Sequence, residues 1–163
     1  MDAFNLSMLL TGQYHEWLLN GLLLSIQLAL MTLVFALPLA VLIAVMRVAP
    51  VALLRGAAMA YVEAVRNVPL LAHMLCWYFG APECLPDSAK AWLYEGNVEA
   101  TSAVIALVFY TAAYMSEDLR SGLRSIPKEQ MEASRALGFS FLASMRLVIM
   151  PQSVRITLPP LTS

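Results

Sequence analysis

The segment WLLNGLLLSIQLALMTLVFALPLAVLIAVM, residues 17–46, decides the fold of this 163-residue chain. It runs for 30 residues without a formally charged side chain. Because about 20 apolar residues suffice for a helix to cross the hydrocarbon core of a bilayer, the segment predicts one tilted transmembrane helix over about 18–46. Pro38 lies inside it and predicts a kink, which membrane helices tolerate when neighbours satisfy the freed carbonyl group.

The composition of the whole chain agrees with a membrane protein. Hydrophobic residues make up 60% and charged residues 13%, and the mean hydropathy is +0.71. Soluble domains average about half apolar and about a quarter charged residues, so we expect an all-α, multi-pass membrane helical bundle. The scattered cations form no basic face typical of nucleic-acid binders.

Neither a cleavable leader nor a cofactor site is indicated. The first cation is Arg47, whereas an export signal begins with positive charge and a short apolar run. Cys76 and Cys84 lack the spacing of a metal site, and free thiols are favoured over a disulfide between them. We therefore expect no metal and no cofactor.

A second span is predicted over about 58–80. The uncharged run 67–82 follows a mixed segment, 51–66, that approaches the membrane obliquely. We expect a bend near Pro69, since proline disfavours helical geometry in the residue before it. The aromatic residues 77–79 suit the membrane interface at the end of the span.

The charges set the expected topology. A third uncharged run predicts a span over about 100–118. If the segments after the first and third spans are cytoplasmic, Lys90 is the one cation of ten that lies outside, as the positive-inside rule requires. The segments 1–16 and 80–99 are then periplasmic, and 119–155 is cytoplasmic.

Polar side chains within the spans are candidates for a translocation path. For each of them an interhelical hydrogen bond is the favoured alternative. Glu63 and Arg66 lie three residues apart on a helix, so we expect a structural ion pair between them. The path candidates are Gln27, His73, Tyr110, Thr111 and Tyr114.

The cytoplasmic stretch SIPKEQMEASRALG, residues 125–138, predicts a short capped helix. Ser125 is expected as the N-cap, Pro127 is tolerated in the first turn, and Gly138 occupies the position of a left-handed stop. From spacing alone, an amphipathic helix on the membrane surface remains an equal alternative.

A second cytoplasmic helix is predicted directly after the first. Ser140 is expected to cap it, and its predicted range is Phe141–Met150. Pro151 is expected to end it, because proline cannot continue the hydrogen-bond pattern of a helix.

One spacing pattern in this region is specific. Glu132, Ala133 and Ser134 are followed after three residues by Gly138 and, after nine more, by Val148–Pro151. This resembles the loop E-A-A, three residues, G, nine residues, I-x-L-P of binding-protein-dependent ABC importer permeases. The three departures preserve size or apolarity.

The resemblance extends from about residue 20 to the end of the chain. Within the family, the chain looks most similar to glutamate/aspartate permeases. The stretches that carry this similarity are Arg66-Asn67-Val68-Pro69-Leu70, Trp77-Tyr78, Pro82-Glu83, Leu85-Pro86 and the ending Pro-Pro-x-Thr-Ser.

The resemblance implies a type I ABC importer permease fold over residues 17–163 in the bacterial inner membrane. It implies that 125–138 is a coupling helix that docks on a cytoplasmic ABC ATPase dimer, with Glu132 at the ATPase surface and Gly138 setting the turn. The expected partners are this ATPase, a second permease subunit, identical or homologous, and a periplasmic amino-acid-binding protein. The chain itself is then not an enzyme.

Two further expectations concern the whole protein. Family members continue into two more spans, so we expect the chain to be incomplete at its C-terminus, and a non-transporting scaffold or remnant is the alternative to a permease. A membrane-embedded enzyme is disfavoured, because the sequence contains neither HExxH nor GxSxG.

Overall fold

The computed structural model describes residues 12–161, with side chains except those of Trp92 and 156–161. This part of the chain is helical and contains no strand, which confirms the all-α prediction. Most of the predicted periplasmic segment 1–16 lies outside the described residues, and so does the Thr-Ser ending, Thr162 and Ser163. The helices are α1 (Gln13–Val48), α2 (Ala52–Arg66), α3 (Leu70–Leu75), α4 (Ala81–Cys84), α5 (Asp87–Glu95), α6 (Val98–Ser125), α7 (Lys128–Ala136), α8 (Phe141–Ser144) and α9 (Met150–Leu161).

Helices α1 and α6 form the centre of the bundle. With 36 and 28 residues, both are long and apolar enough to cross a bilayer. The predicted spans 18–46 and 100–118 lie inside them. Where they pack, the buried residues are small, which lets the two backbones approach closely, as is common between membrane helices. Ala36, Ala40, Ala44 and Ala112 are each 0% exposed.

The predicted second span, 58–80, is divided in the structure. Helix α2 ends at Arg66, Pro69 is the N-cap of α3, and the helical path then continues to Cys84. The expected bend near Pro69 is therefore a break between two helices. Tyr61 ties α2 to α6, because its hydroxyl group donates a hydrogen bond of 2.6 Å to the Phe109 carbonyl.

Two wide π-type turns each precede a proline. Residues Cys76–Gly80 precede Pro82, and residues Met145–Ile149 precede Pro151. A proline ring clashes with the carbonyl group four residues earlier, and in both cases that residue lies inside the wide turn. The prediction that Pro151 ends its helix is wrong, since the chain remains helical through α9.

The segment between α3 and α6, predicted as a polar loop over 80–99, contains the short helices α4 and α5. Lys90 donates a hydrogen bond of 2.9 Å to the Glu83 carboxylate and so links the two helices. Asn97 caps α6 by accepting a hydrogen bond of 2.9 Å from the Ala100 amide.

Candidate coupling loop and charged cleft

The start of α7 differs from the prediction. Pro127, with φ −56° and ψ 138°, is the residue before the first helical position, Lys128. Ser125 is not the N-cap. It is the last residue of α6, and its hydroxyl group donates a hydrogen bond of 2.7 Å to the Gly122 carbonyl. Because that hydroxyl is engaged in its own helix, it is not available to the amides of α7.

The end of α7 is a Schellman motif. The Phe139 amide donates a hydrogen bond of 3.2 Å to the Ser134 carbonyl, and the Gly138 amide donates one of 3.0 Å to the Arg135 carbonyl. Gly138 has φ +88°, which confirms the predicted left-handed stop. The direction in which the chain leaves α7 is therefore fixed by backbone hydrogen bonds.

The EAA-like residues lie on two sides of α7. Ser134 is 3% exposed, and its hydroxyl group donates a hydrogen bond of 2.8 Å to the Met131 carbonyl. Glu132 and Ala133 are exposed, and Leu137 is 78% exposed. The exposed surface of α7 thus includes Glu132 and Ala133, and Leu137 is exposed directly after the helix ends at Ala136.

The helices after Gly138 anchor α7 to the bundle. Ser140 caps α8 as predicted, since its side chain accepts a hydrogen bond of 3.2 Å from the Ala143 amide. Met145 and Ile149 in the following π turn are buried in the same apolar cluster as Leu123 of α6 and Ile126 of the connection from α6 to α7. A displacement of α7 must therefore act on the ends of α6 and α9, because interiors are close-packed.

A charged cluster joins α1 to α6. The Glu117 carboxylate lies 3.4 Å from Arg47 Nη2 and accepts hydrogen bonds from Arg120, one of them 2.9 Å from Nε. Arg47 occupies the last turn of α1. All three side chains are at most about a quarter exposed, so solvent screens this cluster less than an exposed pair.

The predicted ion pair between Glu63 and Arg66 does not form among the described side chains. The Arg66 guanidinium lies instead over the Tyr114 ring, 5.0 Å from its centroid. Arg66 of α2 therefore contacts Tyr114 of α6 and not Glu63, its neighbour on α2.

Three of the five predicted path residues are brought together. The Tyr110 hydroxyl group donates a hydrogen bond of 3.1 Å to that of Tyr114, and the His73 ring lies 5.8 Å from the Tyr110 ring. His73 Nε2 also lies 3.0 Å from the Val65 carbonyl, so that it makes the kind of interhelical bond that was the alternative to a path role. Thr111 is half-buried, and Gln27 is exposed on α1.

A cleft of about 340 Å³ lies where α1, the end of α2 and α6 meet. The sequence did not predict it, although the Glu117–Arg120 spacing of three residues and the position of Arg47 at the end of an apolar run were visible signals. The lining residues are Arg47, Val62, Glu63, Arg66, Asn67, Tyr114 and Glu117.

Comparison with known proteins decides the family. Residues 36–163 match the family model described as "Binding-protein-dependent transport system inner membrane component". The chain belongs to this family. This confirms the resemblance drawn from the EAA-like loop.

Relatives of this inner membrane component are amino-acid ABC permeases. This chain is 37% identical over 157 residues to the probable glutamine ABC transporter permease protein GlnM of Bacillus subtilis. The alignment covers 96% of this chain and 64% of that protein. This chain is 30% identical over 154 residues to the glutamate/aspartate import permease protein GltJ of Escherichia coli K12. The alignment covers 92% of this chain and 63% of that protein. The chain thus spans less than two thirds of the length of these relatives.

A solved structure supports the fold of this inner membrane component. The crystal structure of an amino acid ABC transporter with histidines matches with a TM-score of 0.73 and 28% sequence identity. The match covers 99% of this chain and 70% of that chain. The predicted membrane helical bundle is confirmed.

Proposed function

We propose that this chain forms the membrane-spanning permease subunit of an ATP-driven ABC importer of polar amino acids. The observation that carries the proposal is the geometry of α7. A short helix, closed by the Schellman motif at Gly138, packs through Met131 against the buried cluster that contains Ile126, directly after α6, and Ile149, directly before α9. A helix held in this way transmits a rigid-body displacement, which a flexible loop would not do.

In this proposal α7 is the coupling helix. Its exposed residues Glu132 and Ala133 contact a groove of a cytoplasmic ABC ATPase dimer, and Pro151 belongs to the helix that carries the motion onward. ATP is bound and hydrolysed by the partner, so the permease itself is not the enzyme. When the ATPase subunits close, α7 moves with them, and its buried contacts displace the ends of the spanning helices.

The proposed topology follows from the cations. The segment 119–155 and the end of α1 face the cytoplasm, and residues 80–99, including Lys90, face the periplasm. The N-terminal segment 1–16 then lies in the periplasm. This orientation places α7 on the side where ATP is available.

The proposed substrates are amino acids with acidic or amide side chains. The names of the two relatives above mention glutamine in one case and glutamate and aspartate in the other. The chain resembles glutamate/aspartate permeases around residues 66–70, which favours acidic amino acids. A periplasmic binding protein would deliver the substrate, and a second permease subunit would complete the path.

The test is ATP hydrolysis in a reconstituted complex. The full-length permease is purified with its ATPase in lipid nanodiscs, and hydrolysis is measured with the binding protein loaded with L-glutamate, L-aspartate or L-glutamine. We expect stimulation by at least one loaded form. Stimulation is lost in Glu132→Ala and retained in Glu129→Ala, a matched exposed glutamate in the first turn of α7.

Three outcomes would contradict the proposal. The permease could fail to retain the ATPase during purification, hydrolysis could ignore every loaded form, or the two glutamate variants could behave alike. Ion gradients that drive uptake without ATP would place the chain in another class of transporter.

A further inference from the structure

The cleft at the meeting point of α1, α2 and α6 presents opposite charges that do not neutralise each other. Arg66 and Glu63 both line it but form no ion pair with each other in the part of the chain that the structure describes. Among the described residues Arg66 forms no salt bridge, and its guanidinium group contacts the face of the Tyr114 ring. Such a contact at an exposed site is weaker than a charge-assisted hydrogen bond to a carboxylate, so the guanidinium can exchange it for a ligand.

The second carboxylate that lines the cleft, Glu117, forms no ion pair with Arg66 among the described residues. The Glu117 carboxylate is shared by Arg47 and Arg120, and Arg47 Nη1 has no hydrogen-bond acceptor among the described residues. One carboxylate thus faces two guanidinium groups. Together with Arg66 and Glu63, the cleft region holds three positive and two negative charges, which favours a ligand that brings a carboxylate.

The cleft also has room and polar groups for such a ligand. Its volume of about 340 Å³ falls in the range of small-molecule sites, about 300–1,000 Å³. Asn67, the residue after Arg66, also lines the cleft, and its side-chain amide can offer further hydrogen bonds. Glu63, on the same helix one turn before Arg66, offers a carboxylate to a positively charged group.

We propose that this cleft binds the zwitterionic backbone of an amino acid, with Arg66 holding the carboxylate and Glu63 holding the ammonium group. The inference rests on the proposed function and deepens it. Because Arg47 lies in the last turn of α1, at its inner end in the proposed topology, the cleft is the last binding position before release into the cytoplasm. Recognition of the backbone leaves the side chain free, so related amino acids can share the site.

Protection of a cysteine at the cleft tests the proposal. Asn67→Cys is introduced into the full chain after Cys76→Ser and Cys84→Ser, since both native cysteines are free and exposed. Its labelling by N-ethylmaleimide is followed in nanodiscs. We expect millimolar L-glutamine or L-glutamate to slow labelling, whereas propionate and propylamine at equal concentration do not, because each satisfies one charge only.

Charge-removing variants assign the two roles. Arg66→Gln and Glu63→Gln should each raise the concentration needed for protection by about tenfold or more, the usual effect of losing one charged hydrogen bond. Arg66→Lys should recover part of it. Arg124→Gln, an exposed cation of α6 that does not line this cleft, serves as the control and should leave protection unchanged. Unchanged labelling without ligand shows that each variant is folded.

Several results would overturn the inference. Equal protection by propionate would identify a simple anion site, and protection that survives Arg66→Gln would place the ligand elsewhere. Absence of protection also overturns it. If the loaded binding protein still stimulates ATP hydrolysis in that case, the proposed function stands without this site, and if stimulation is absent too, both fail.

Discussion

Gly138 is the residue at which the coupling geometry can be perturbed most cleanly. Its φ of +88° lies in the left-handed region, and an added Cβ atom would meet no heavy atom within 4 Å. Gly138→Ala therefore introduces no steric clash with a neighbour. Its cost is the backbone penalty alone, about 1–2 kcal/mol for a residue with a Cβ atom in this conformation.

This penalty is large enough to alter coupling. A change of 1–2 kcal/mol shifts a local equilibrium by a factor of about 5–30, so the fraction of molecules with an open Schellman turn would rise by about that factor. We expect Gly138→Ala to lower both amino-acid uptake and stimulated ATP hydrolysis, and Gly138→Val to lower them further. Gly138→Asn should retain more activity, because asparagine tolerates the left-handed conformation best among the other residues.

The assay is stimulated ATP hydrolysis and uptake in proteoliposomes, with membrane insertion measured in parallel. Gly56→Ala is the matched control. Gly56 also has open space around it but lies inside α2 without positive φ, so alanine there should be neutral or stabilising. Wild-type coupling in Gly138→Val, or equal losses in the Gly56 and Gly138 variants, would refute the reasoning.

Two further predictions concern stability. Glu117→Gln should destabilise the solubilised chain by about 1–3 kcal/mol, because Arg47 and Arg120 both lose their charged partner. Thermal unfolding should show a lower melting temperature for this variant, and an unchanged melting temperature would contradict the prediction. Ser140→Ala should cost about 1 kcal/mol through loss of the α8 cap. Hydrogen exchange should then accelerate over 141–149, whereas Ser121→Ala, an exposed position in α6, should leave exchange there unchanged.

The sequence allowed the main helices and the turn after α7 to be predicted. Long uncharged runs locate α1 and α6, since a helix is the structure in which a single membrane-spanning segment satisfies its own backbone hydrogen bonds. Gly138 could be recognised because a left-handed helix stop is a local property that favours one residue type. The EAA-like spacing then supplied the family.

The misplaced boundaries have a common physical cause. Ser125 was expected to cap α7, but its hydroxyl group has an acceptor within α6. Pro151 was expected to end a helix, but a wide turn removes the clash that would have ended it. In both cases the interaction that sets the helix boundary lies in the preceding turn. No pattern of residue types in the sequence indicates that interaction.

The charged cleft could not be predicted because it requires three helices. The spacing of Glu63 and Arg66 favours an ion pair on an isolated helix, yet Tyr114 of α6 lies within reach of Arg66 in the bundle. Arg47 and Glu117 are 70 residues apart in sequence and meet only when α1 packs on α6. Tertiary contacts of this kind outweigh local pairing preferences of a few tenths of a kcal/mol.

The accessibility of Glu132 tests the central claim most directly. Glu132→Cys, in the background without Cys76 and Cys84, is exposed to a membrane-impermeant thiol reagent in intact spheroplasts and in inverted membrane vesicles. If α7 contacts an ATPase in the cytoplasm, the cysteine is labelled in inverted vesicles alone, and added ATPase slows the labelling there. Labelling in intact spheroplasts would contradict the claim.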